Sequence, residues 1–189
     1  DYVGKGLGGG RIVITAPPDD AGDPVLMGNT VLYGATGGEL FCRGRAGERF
    51  AVRNSGALAV VEGTGDHACE YMTRGTVVIL GPVGRNIGAG MSGGELYVYD
   101  PEGVLAERLN PQLVEAAAPT ESHLASVREL LHRHGELTGS AMAKAVLRRW
   151  ARSKHAFIRV APRAPATVEA AEGAQGGRVS QEETEPAGR

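Results

Sequence analysis

Five short segments of the sequence recur at a nearly constant spacing, and this repeat limits the folds that the chain can adopt. Each segment opens with a glycine followed by four mostly apolar residues, and the glycines are Gly10, Gly38, Gly56, Gly75 and Gly94. The steps between them are 28, 18, 19 and 19 residues, and a polar insertion around 17–23 explains the longer first step. Repeats this short cannot each bury their own side chains, so they must stack on one another. The repeat therefore predicts a coiled solenoid of about five short rungs.

The residues after each glycine form regular columns. Two positions after it stand Ile12, Leu40, Leu58, Val77 and Leu96. Four positions after it stand Ile14, Cys42, Val60, Ile79 and Val98. Because residues two apart share one face of a strand, these columns predict two continuous ladders inside the coil. The position between them is also mostly apolar, which is typical of strands buried on both faces. We therefore expect the outer stripe to be covered by the chain's own C-terminal helices or by another protein.

A second, weaker pattern lies upstream of each reference glycine. Counting three residues from Gly28, Gly47, Gly65 and Gly84 gives Val31, Phe50, Ala68 and Ile87. Two residues further on, the pattern is interrupted by Glu70. We interpret this pattern as a second strand in each rung. Glycine-rich corners such as 34–38 and 88–94 join the two strands, since glycine accepts positive φ and close approach between coils.

The sequence predicts three parts: a solenoid over 1–109, a helical extension over 110–162 and a disordered tail over 163–189. Thr120 is a candidate N-cap for a first helix, and Ser140 for a second. The first helix has an apolar face formed by Leu124, Val127, Leu130 and Leu131. Residues 104–109 are predicted to form a further short strand, and Phe157 to Val160 an extended segment.

Composition limits the partners and the compartment. The net charge of −2 gives no general attraction to nucleic acid or to membranes. No apolar run is long enough to span a bilayer. Cys42 and Cys69 suggest neither a disulfide framework nor a metal site, so we expect free structural thiols in a reducing cytoplasm. Because the first residue is Asp1 and not methionine, we also expect the chain to be part of something longer.

Three groups of residues suggest chemistry but are better explained by structure. The run 4–10 contains GxGxG, but a strand follows it where a dinucleotide-binding motif needs a helix. Asp66 and His67, with Glu62 and Glu70 nearby, are typical of a turn more often than of an acid–base pair. Four arginines lie close together along the chain, and we expect a solvated face paired with Glu39 and Glu48 more than an anion site. These arginines are Arg43, Arg45, Arg49 and Arg53.

Several runs of the sequence resemble a known family. Residues 1–7, 28–38, 45–56, 61–73 and 90–94 are similar to the C-terminal β-helix domain, with its GXGXG motif, of the glutamate synthase large subunit. The likeness continues, more loosely, through the helices to about Pro162. It implies a right-handed parallel β-helix. It also implies that coils precede the segment matching Asp1, so that the chain starts inside the solenoid.

The resemblance also implies a function in glutamate biosynthesis and nitrogen assimilation. The complete enzyme of this family hydrolyses glutamine at an N-terminal cysteine and passes ammonia to an FMN-bearing barrel, where it reacts with 2-oxoglutarate. An iron–sulphur cluster assists the reduction. The present chain has no position that matches the N-terminal cysteine, the FMN-bearing barrel or the cluster ligands. We therefore expect no catalytic, cofactor-binding or metal-binding residues and no activity from the chain alone. It is expected to be a scaffold that contacts the amidotransferase domain, the synthase domain and the small subunit in the cytoplasm.

Two alternatives remain open on the sequence. One is a stand-alone β-helical subunit of another redox complex, similar to a subunit of formylmethanofuran dehydrogenase. The other is a left-handed β-helix acyltransferase, whose six-residue repeat gives about 18 residues per coil. A six-residue apolar period does run through Leu40, Ala46, Val52 and Leu58. It then fails at Thr64 and Glu70, which disfavours the acyltransferase.

Overall fold

A computed structural model of the protein describes residues 1–16 and 22–163. The strands are β1 (Gly8–Thr15), β2 (Val25–Met27), β3 (Gly37–Arg43), β4 (Arg45–Ala46), β5 (Ser55–Val61), β6 (Arg74–Ile79), β7 (Glu95–Tyr99), β8 (Val114–Ala117) and β9 (Phe157–Pro162). The helices are α1 (Leu105–Arg108), α2 (Glu121–Thr138), α3 (Ala141–Arg148) and α4 (Trp150–Ser153), followed by a 3-10 turn over Lys154–Ala156. Apart from Arg163, the predicted tail lies outside the described residues.

The fold is mainly β and is built on a parallel solenoid, as the repeat predicted, whose five stacked strands make about four turns. Five strands (β1, β3, β5, β6 and β7) lie side by side in this order and pair in parallel. A second, two-stranded parallel sheet is formed by β2 and β4. One wall of the solenoid is therefore a continuous sheet whose strands come from successive rungs.

The inner ladder follows the predicted register except at one rung. Ile12 pairs with Leu40, and Val77 pairs with Leu96. Between them, however, both Leu40 and Val77 pair with Ala59. The predicted ladder position of Leu58 is thus wrong by one residue: Ala59 is fully buried in the core, and Leu58 points toward the helical side of the sheet. The predicted position of Val60 in the second ladder is wrong in the same way, since Cys42 and Ile79 pair with Val61 and Val60 packs on the helical side.

An extra residue in β5 causes this shift. Ser55 pairs with Arg74 and Leu58 pairs with Thr76, so β5 advances three residues where β6 advances two, which is a β-bulge. The side chain of Asn54, fully buried, takes the place of the missing strand partner. Its Nδ2 donates to the carbonyl oxygen of Ala57 at 2.9 Å, and its Oδ1 accepts from the N–H groups of Ala57 at 2.9 Å and Gly56 at 3.2 Å. A periodic pattern of apolar residues gives no sign of such a side-chain clamp.

The second wall of each rung is a ribbon of turns, and the predicted second strand is wrong. Each rung has three alternating residues with left-handed φ, which we call the first, second and third columns of the turn ribbon. They are Tyr2, Gly4 and Gly6; Thr30, Leu32 and Gly34; Arg49, Ala51 and Arg53; His67, Cys69 and Tyr71; and Asn86, Gly88 and Gly90. Val31 and Leu32 both pack into the same core inside the solenoid, whereas adjacent side chains of a strand face opposite sides.

Backbone hydrogen bonds between rungs hold the turn ribbon together. The N–H of Ala51 donates to the carbonyl of Val31 at 2.9 Å, and the N–H of Cys69 donates to that of Phe50 at 2.7 Å. Bonds of this kind satisfy buried polar groups without a strand ladder. The ribbon was hidden in the sequence because ten of its fifteen left-handed residues are not glycine.

The parallel stack ends in an antiparallel cap. β9 pairs with β7 in the opposite direction, and β8 pairs antiparallel with β9. The predicted extended segment from Phe157 is confirmed as β9, whereas β8 was not predicted. The strand predicted over 104–109 is instead the single helical turn α1, followed by an isolated bridge between Leu109 and Ile87.

Both predicted helix starts are confirmed. The hydroxyl of Thr120 accepts from the N–H of His123 at 3.3 Å, and His123 Nδ1 accepts in return from the N–H of Thr120. Ser140 Oγ accepts from the N–H of Ala143 at 2.9 Å and begins α3. The four predicted apolar residues of α2, Leu124, Val127, Leu130 and Leu131, are all buried. They pack on the outer stripe of Phe41, Val60, Val78 and Tyr97. The chain's own helices therefore cover this stripe.

Candidate functional site at the junction of solenoid and helices

Polar and charged side chains of α2 meet the solenoid at three carboxylates. The pairs are His123 with Glu95 (3.8 Å), Arg133 with Glu39 (2.5 Å) and His134 with Glu62 (3.2 Å). The carboxylates belong to three different rungs, on β7, on β3 and just after β5. One helix therefore binds three rungs, those of β3, β5 and β7, and fixes their relation. This junction brings ionisable side chains of both layers together at three places, and we take it as the candidate site.

Glu39 is an ionised anchor of this junction. It accepts from Arg133 Nη2 at 2.5 Å and from Arg11 Nε at 2.7 Å. The hydrogen bond from Arg133, and then that from Arg11, lower the pKa of the Glu39 carboxyl below its usual value. The Arg133 guanidinium also lies 5.2 Å from the centre of the Phe41 ring. Charge and ring contact together hold the middle of α2 to the first two rungs.

Glu95 joins β7, β9 and α2. Arg159 donates to its Oε1 from Nη2 at 2.8 Å and from Nε at 3.2 Å, and the Tyr97 hydroxyl donates to Oε2. Burial would raise the pKa of Glu95, but the hydrogen bonds from Tyr97 and Arg159 outweigh it and lower the pKa. Burial and the Glu95 carboxylate together raise the pKa of Tyr97. The cluster is a fixed ion pair, with a phenol that stays protonated.

The third carboxylate, Glu62, is nearly buried and lies between an imidazole and a hydroxyl. Its Oε1 lies 3.2 Å from His134 Nε2 and accepts a hydrogen bond from the Ser140 hydroxyl. Thr138 extends the group, donating to the carbonyl oxygen of His134 at 2.5 Å and accepting from the N–H of Ser140 at 3.3 Å. The His134 ring stacks on Phe41 with centres 6.2 Å apart.

This Ser–Glu–His group is not arranged for nucleophilic catalysis. In a catalytic triad the imidazole contacts the nucleophile and the carboxylate contacts the far side of the imidazole. Here the carboxylate of Glu62 separates Ser140 from His134. Both of these residues are fully buried, and the Ser140 hydroxyl already caps α3. The geometry suits a structural lock that holds the end of α2 and the start of α3 on the solenoid.

Asp66 and His67, the acid–base candidates, lie at a rung corner in structural roles. Asp66 Oδ1 accepts from the backbone N–H of Arg85 at 2.7 Å, and its Oδ2 accepts from the Arg85 guanidinium at 3.2 Å. The backbone hydrogen bond is the main cause that lowers the pKa of Asp66. His67 lies 3.6 Å from Glu70 within the same turn. A carboxylate with a lowered pKa is a weak base, and here it joins one rung to the next.

The same corner explains the spaced glycines. The Asn29 side chain accepts from the N–H of Glu48 at 2.8 Å, which repeats the Asp66–Arg85 bond two rungs away. A Cβ on Gly47 would lie 2.3 Å from Asn29 Oδ1, and one on Gly84 would lie 2.3 Å from Asp66 Oδ1. These glycines therefore make room for a side chain of the preceding rung. The glycine-rich run 4–10 likewise belongs to the turn ribbon and to β1, not to a phosphate loop.

The four clustered arginines have separate partners. Arg43 Nη2 donates to the carbonyl oxygen of Ala16 at 2.9 Å. The other contacts are Arg45 with Asp23 at 3.5 Å, Arg49 with Glu70 at 3.7 Å and Arg53 over the Tyr71 ring at 5.8 Å. The predicted pairing with Glu39 is wrong, since Glu39 binds Arg11 and Arg133. Within 1–16 and 22–163, none of the four pairs with Glu48.

Neither cysteine is available for chemistry. Cys42 and Cys69 are free and buried, and burial raises the pKa of each thiol to about 12. Among the residues that the structure describes, no group of three or more His, Cys, Asp and Glu side chains is placed to hold a metal ion. In the same part of the chain, no helix has the length and hydropathy needed to cross a membrane.

Comparison with known proteins gives a consistent result. The family described as GXGXG motif matches residues 1–163. Ferredoxin-dependent glutamate synthase 2 of Synechocystis is 54% identical over 79% of this chain and 10% of its own length. The NADH glutamate synthase of Schizosaccharomyces pombe is 50% identical over 86% of this chain and 8% of its own length. The chloroplastic ferredoxin-dependent enzyme of Spinacia oleracea is 48% identical over 86% and 10%. The chain thus spans about a tenth of these relatives, and the resemblance predicted from its sequence is confirmed.

Proposed function

Because the chain belongs to the GXGXG-motif family, we propose that it is the non-catalytic scaffold domain of a glutamate synthase large subunit. It holds the amidotransferase and synthase domains in a fixed relation, so that ammonia released from glutamine reaches 2-oxoglutarate. One observation carries the proposal: about half of the aligned residues are identical to one segment of these synthases. The polar groups of the matching solenoid serve, in the cases described above, to join one rung or layer to another.

The rigidity of the junction supports a scaffold role. Glu39, Glu62 and Glu95 bind α2 at three rungs, and the Asp66 type of corner joins rungs directly. A helix attached to a sheet at several points restricts the bending of that sheet. Because protein interiors are close-packed and hardly compressible, a displacement at one end is transmitted to the other. A spacer that keeps two reaction centres in constant register needs this property.

The complete enzyme of the proposed function uses FMN and an iron–sulphur cluster, and the cysteines of this chain do not fit such a cluster. Protein iron–sulphur clusters are commonly held by four thiolates. The whole sequence contains two cysteines, and Cys42 and Cys69 are both buried as protonated thiols. We therefore assign the cluster to other parts of the enzyme, and no step of the reaction to this chain.

A segment exchange tests the proposal. The matching segment of the cyanobacterial relative is deleted, or is replaced by residues 1–163 of this chain. We expect the deletion to lose glutamine-dependent glutamate formation and the exchange to restore most of it. A well-folded exchange protein without that activity would contradict the scaffold role. Glutamate formation by the purified chain alone, or an FMN absorbance spectrum from it, would contradict it as well.

A pull-down from the source cell separates this proposal from the stand-alone alternative. The scaffold proposal expects recovery of amidotransferase and synthase domains with the tagged chain. Recovery of a different redox complex instead would favour the independent β-helical subunit. The control is a pull-down with the tag alone.

A further inference from the structure

Two large side chains occupy a backbone position that favours glycine. The third column of the turn ribbon has glycine in three rungs, at Gly6, Gly34 and Gly90, all with left-handed φ. In the two rungs between, the column holds Arg53 at φ 53° and Tyr71 at φ 54°. An L side chain strains the backbone in this conformation, and glycine does not. Such outliers motivate a search for a function.

Burial does not explain these two residues. In the second column the non-glycine side chains Leu32, Ala51 and Cys69 are fully buried in the core, which offsets their strain. Arg53 and Tyr71 instead point to solvent, and Tyr71 is 53% exposed. The first column has no glycine in any rung, so its side chains cannot be compared with a glycine at the same position.

Arg53 and Tyr71 are nevertheless ordered against each other. The guanidinium carbon of Arg53 lies 5.8 Å from the centre of the Tyr71 ring. The ring in turn lies over Gly90, where an added Cβ would be 2.4 Å from two ring atoms. The pair is therefore held in one arrangement before any partner binds. Such pre-organisation lowers the entropy cost of binding.

The charge of Arg53 is not neutralised within the described chain. Residues 1–100 contain seven arginines. Six of them either donate a hydrogen bond to a carboxylate or carbonyl oxygen or form an ion pair with a carboxylate: Arg11, Arg43, Arg45, Arg49, Arg74 and Arg85. Across 1–16 and 22–163, the guanidinium of Arg53 has the ring of Tyr71 as its one partner, while the Arg53 backbone N–H donates to the carbonyl oxygen of Glu70. An exposed guanidinium fixed on an aromatic ring suits a partner that brings a carboxylate.

We propose that Arg53 and Tyr71 form the contact by which this solenoid docks on the remainder of the synthase. The partner surface presents a carboxylate to Arg53 and an apolar patch to the Tyr71 ring. This inference rests on the proposed function. The helices cover the sheet wall, and they leave the Arg53–Tyr71 pair on the turn ribbon exposed. Relatives about ten times longer supply the partner domains. Arginine and tyrosine are also enriched among the residues that dominate interfaces.

The experiment uses substitutions that restore the residue of the other rungs. Arg53→Gly, Tyr71→Gly and the double variant are made in this chain, and Arg148→Ala on the exposed face of α3 serves as the matched control. Binding is measured to the cyanobacterial relative lacking its matching segment. We expect about ten- to thirtyfold weaker binding for each glycine variant and unchanged binding for the control. Because glycine fits the column, we also expect melting temperatures no lower than that of the parent.

The outcomes distinguish this inference from the function on which it rests. If the parent chain does not bind the truncated enzyme, the scaffold proposal fails, and the docking contact fails with it. If the parent binds and both glycine variants bind equally well, the docking contact alone is overturned. Lower melting temperatures for the glycine variants would show that the pair stabilises the fold, which would also overturn it.

Discussion

The side chain of Asn54 brackets Ala57, donating to its carbonyl oxygen and accepting from its N–H, both at 2.9 Å. The clamp supports the extra residue of β5, so that Ala59 and not Leu58 enters the inner ladder. A single buried amide therefore sets the register of the central strand. The neighbouring strands, β3 and β6, pair with β5 in that register.

Asn54→Ala tests the clamp. The change leaves the N–H and carbonyl of Ala57 buried without partners, so we expect a loss of about 3 kcal/mol in the free energy of unfolding. Urea denaturation measures this loss. Hydrogen exchange at the amide of Ala57 should accelerate in parallel. Ser92→Ala, at an exposed position, is the control and should leave the stability unchanged. An unchanged unfolding midpoint for Asn54→Ala would contradict the clamp.

Aspartate substitutions at neighbouring positions test the register. Ala59 is fully buried between Leu40 and Val77, so Ala59→Asp places an unpaired charge in the core. We expect it to cost about 4 kcal/mol or more. Leu58→Asp lies at a partly exposed position, where the charge can reach water, and should cost clearly less. Thermal unfolding compares the two. The reverse ranking would mean that Leu58 belongs to the inner ladder.

Gly84→Ala tests the packing of rungs at their corner. The new Cβ would lie 2.3 Å from Asp66 Oδ1 and 2.4 Å from the Asp66 backbone nitrogen, so a rung must shift. We expect a loss of about 2 kcal/mol or more in stability, measured by denaturant unfolding. Gly9→Ala is the matched control, because nothing lies within 4 Å of its added Cβ. Equal stability of the two variants would refute the steric explanation.

Acid should weaken the attachment of α2. Glu39 and Glu95 have pKa values lowered from 4.5 in the folded state, so their contribution is complete above that pH. It is lost as the pH falls below 4.5 through the folded pKa values. We expect the urea midpoint to decrease in this range. Glu39→Gln should lower the stability at pH 7 by up to about 1 kcal/mol. It should also make the acid-dependent decrease smaller, and a decrease equal to that of the parent would contradict the assignment.

The sequence predicts much of this fold because its strongest signals are local. The glycine period gives the parallel strands and most of the inner ladder. Thr120 and Ser140 mark their helices, since the capping residue and the helix that it starts are neighbours in the chain. The outer apolar stripe correctly indicates that a further layer must cover the sheet.

The remaining features depend on contacts that a local pattern does not encode. Glu39 and Arg133 are 94 residues apart, and Glu62 and His134 are 72 apart, so the junction of solenoid and helices has no signature in the sequence. The turn ribbon was missed because left-handed φ is normally inferred from glycine, whereas Arg53 and Tyr71 adopt it with large side chains. The shift at Leu58 depends on the amide of Asn54.

The parallel stacking of rungs means that the length of the solenoid is set by the number of rungs. Each rung adds one inter-strand spacing of about 4.8 Å, so the length changes in whole steps. Removing or adding one complete period of 18 or 19 residues keeps every ladder matched, whereas a partial period would break the match between neighbouring rungs. The antiparallel strand β9 already pairs with the far edge of β7, so a further parallel rung cannot pair there. The solenoid can therefore change its length only when whole rungs are copied or deleted on the other side of β7.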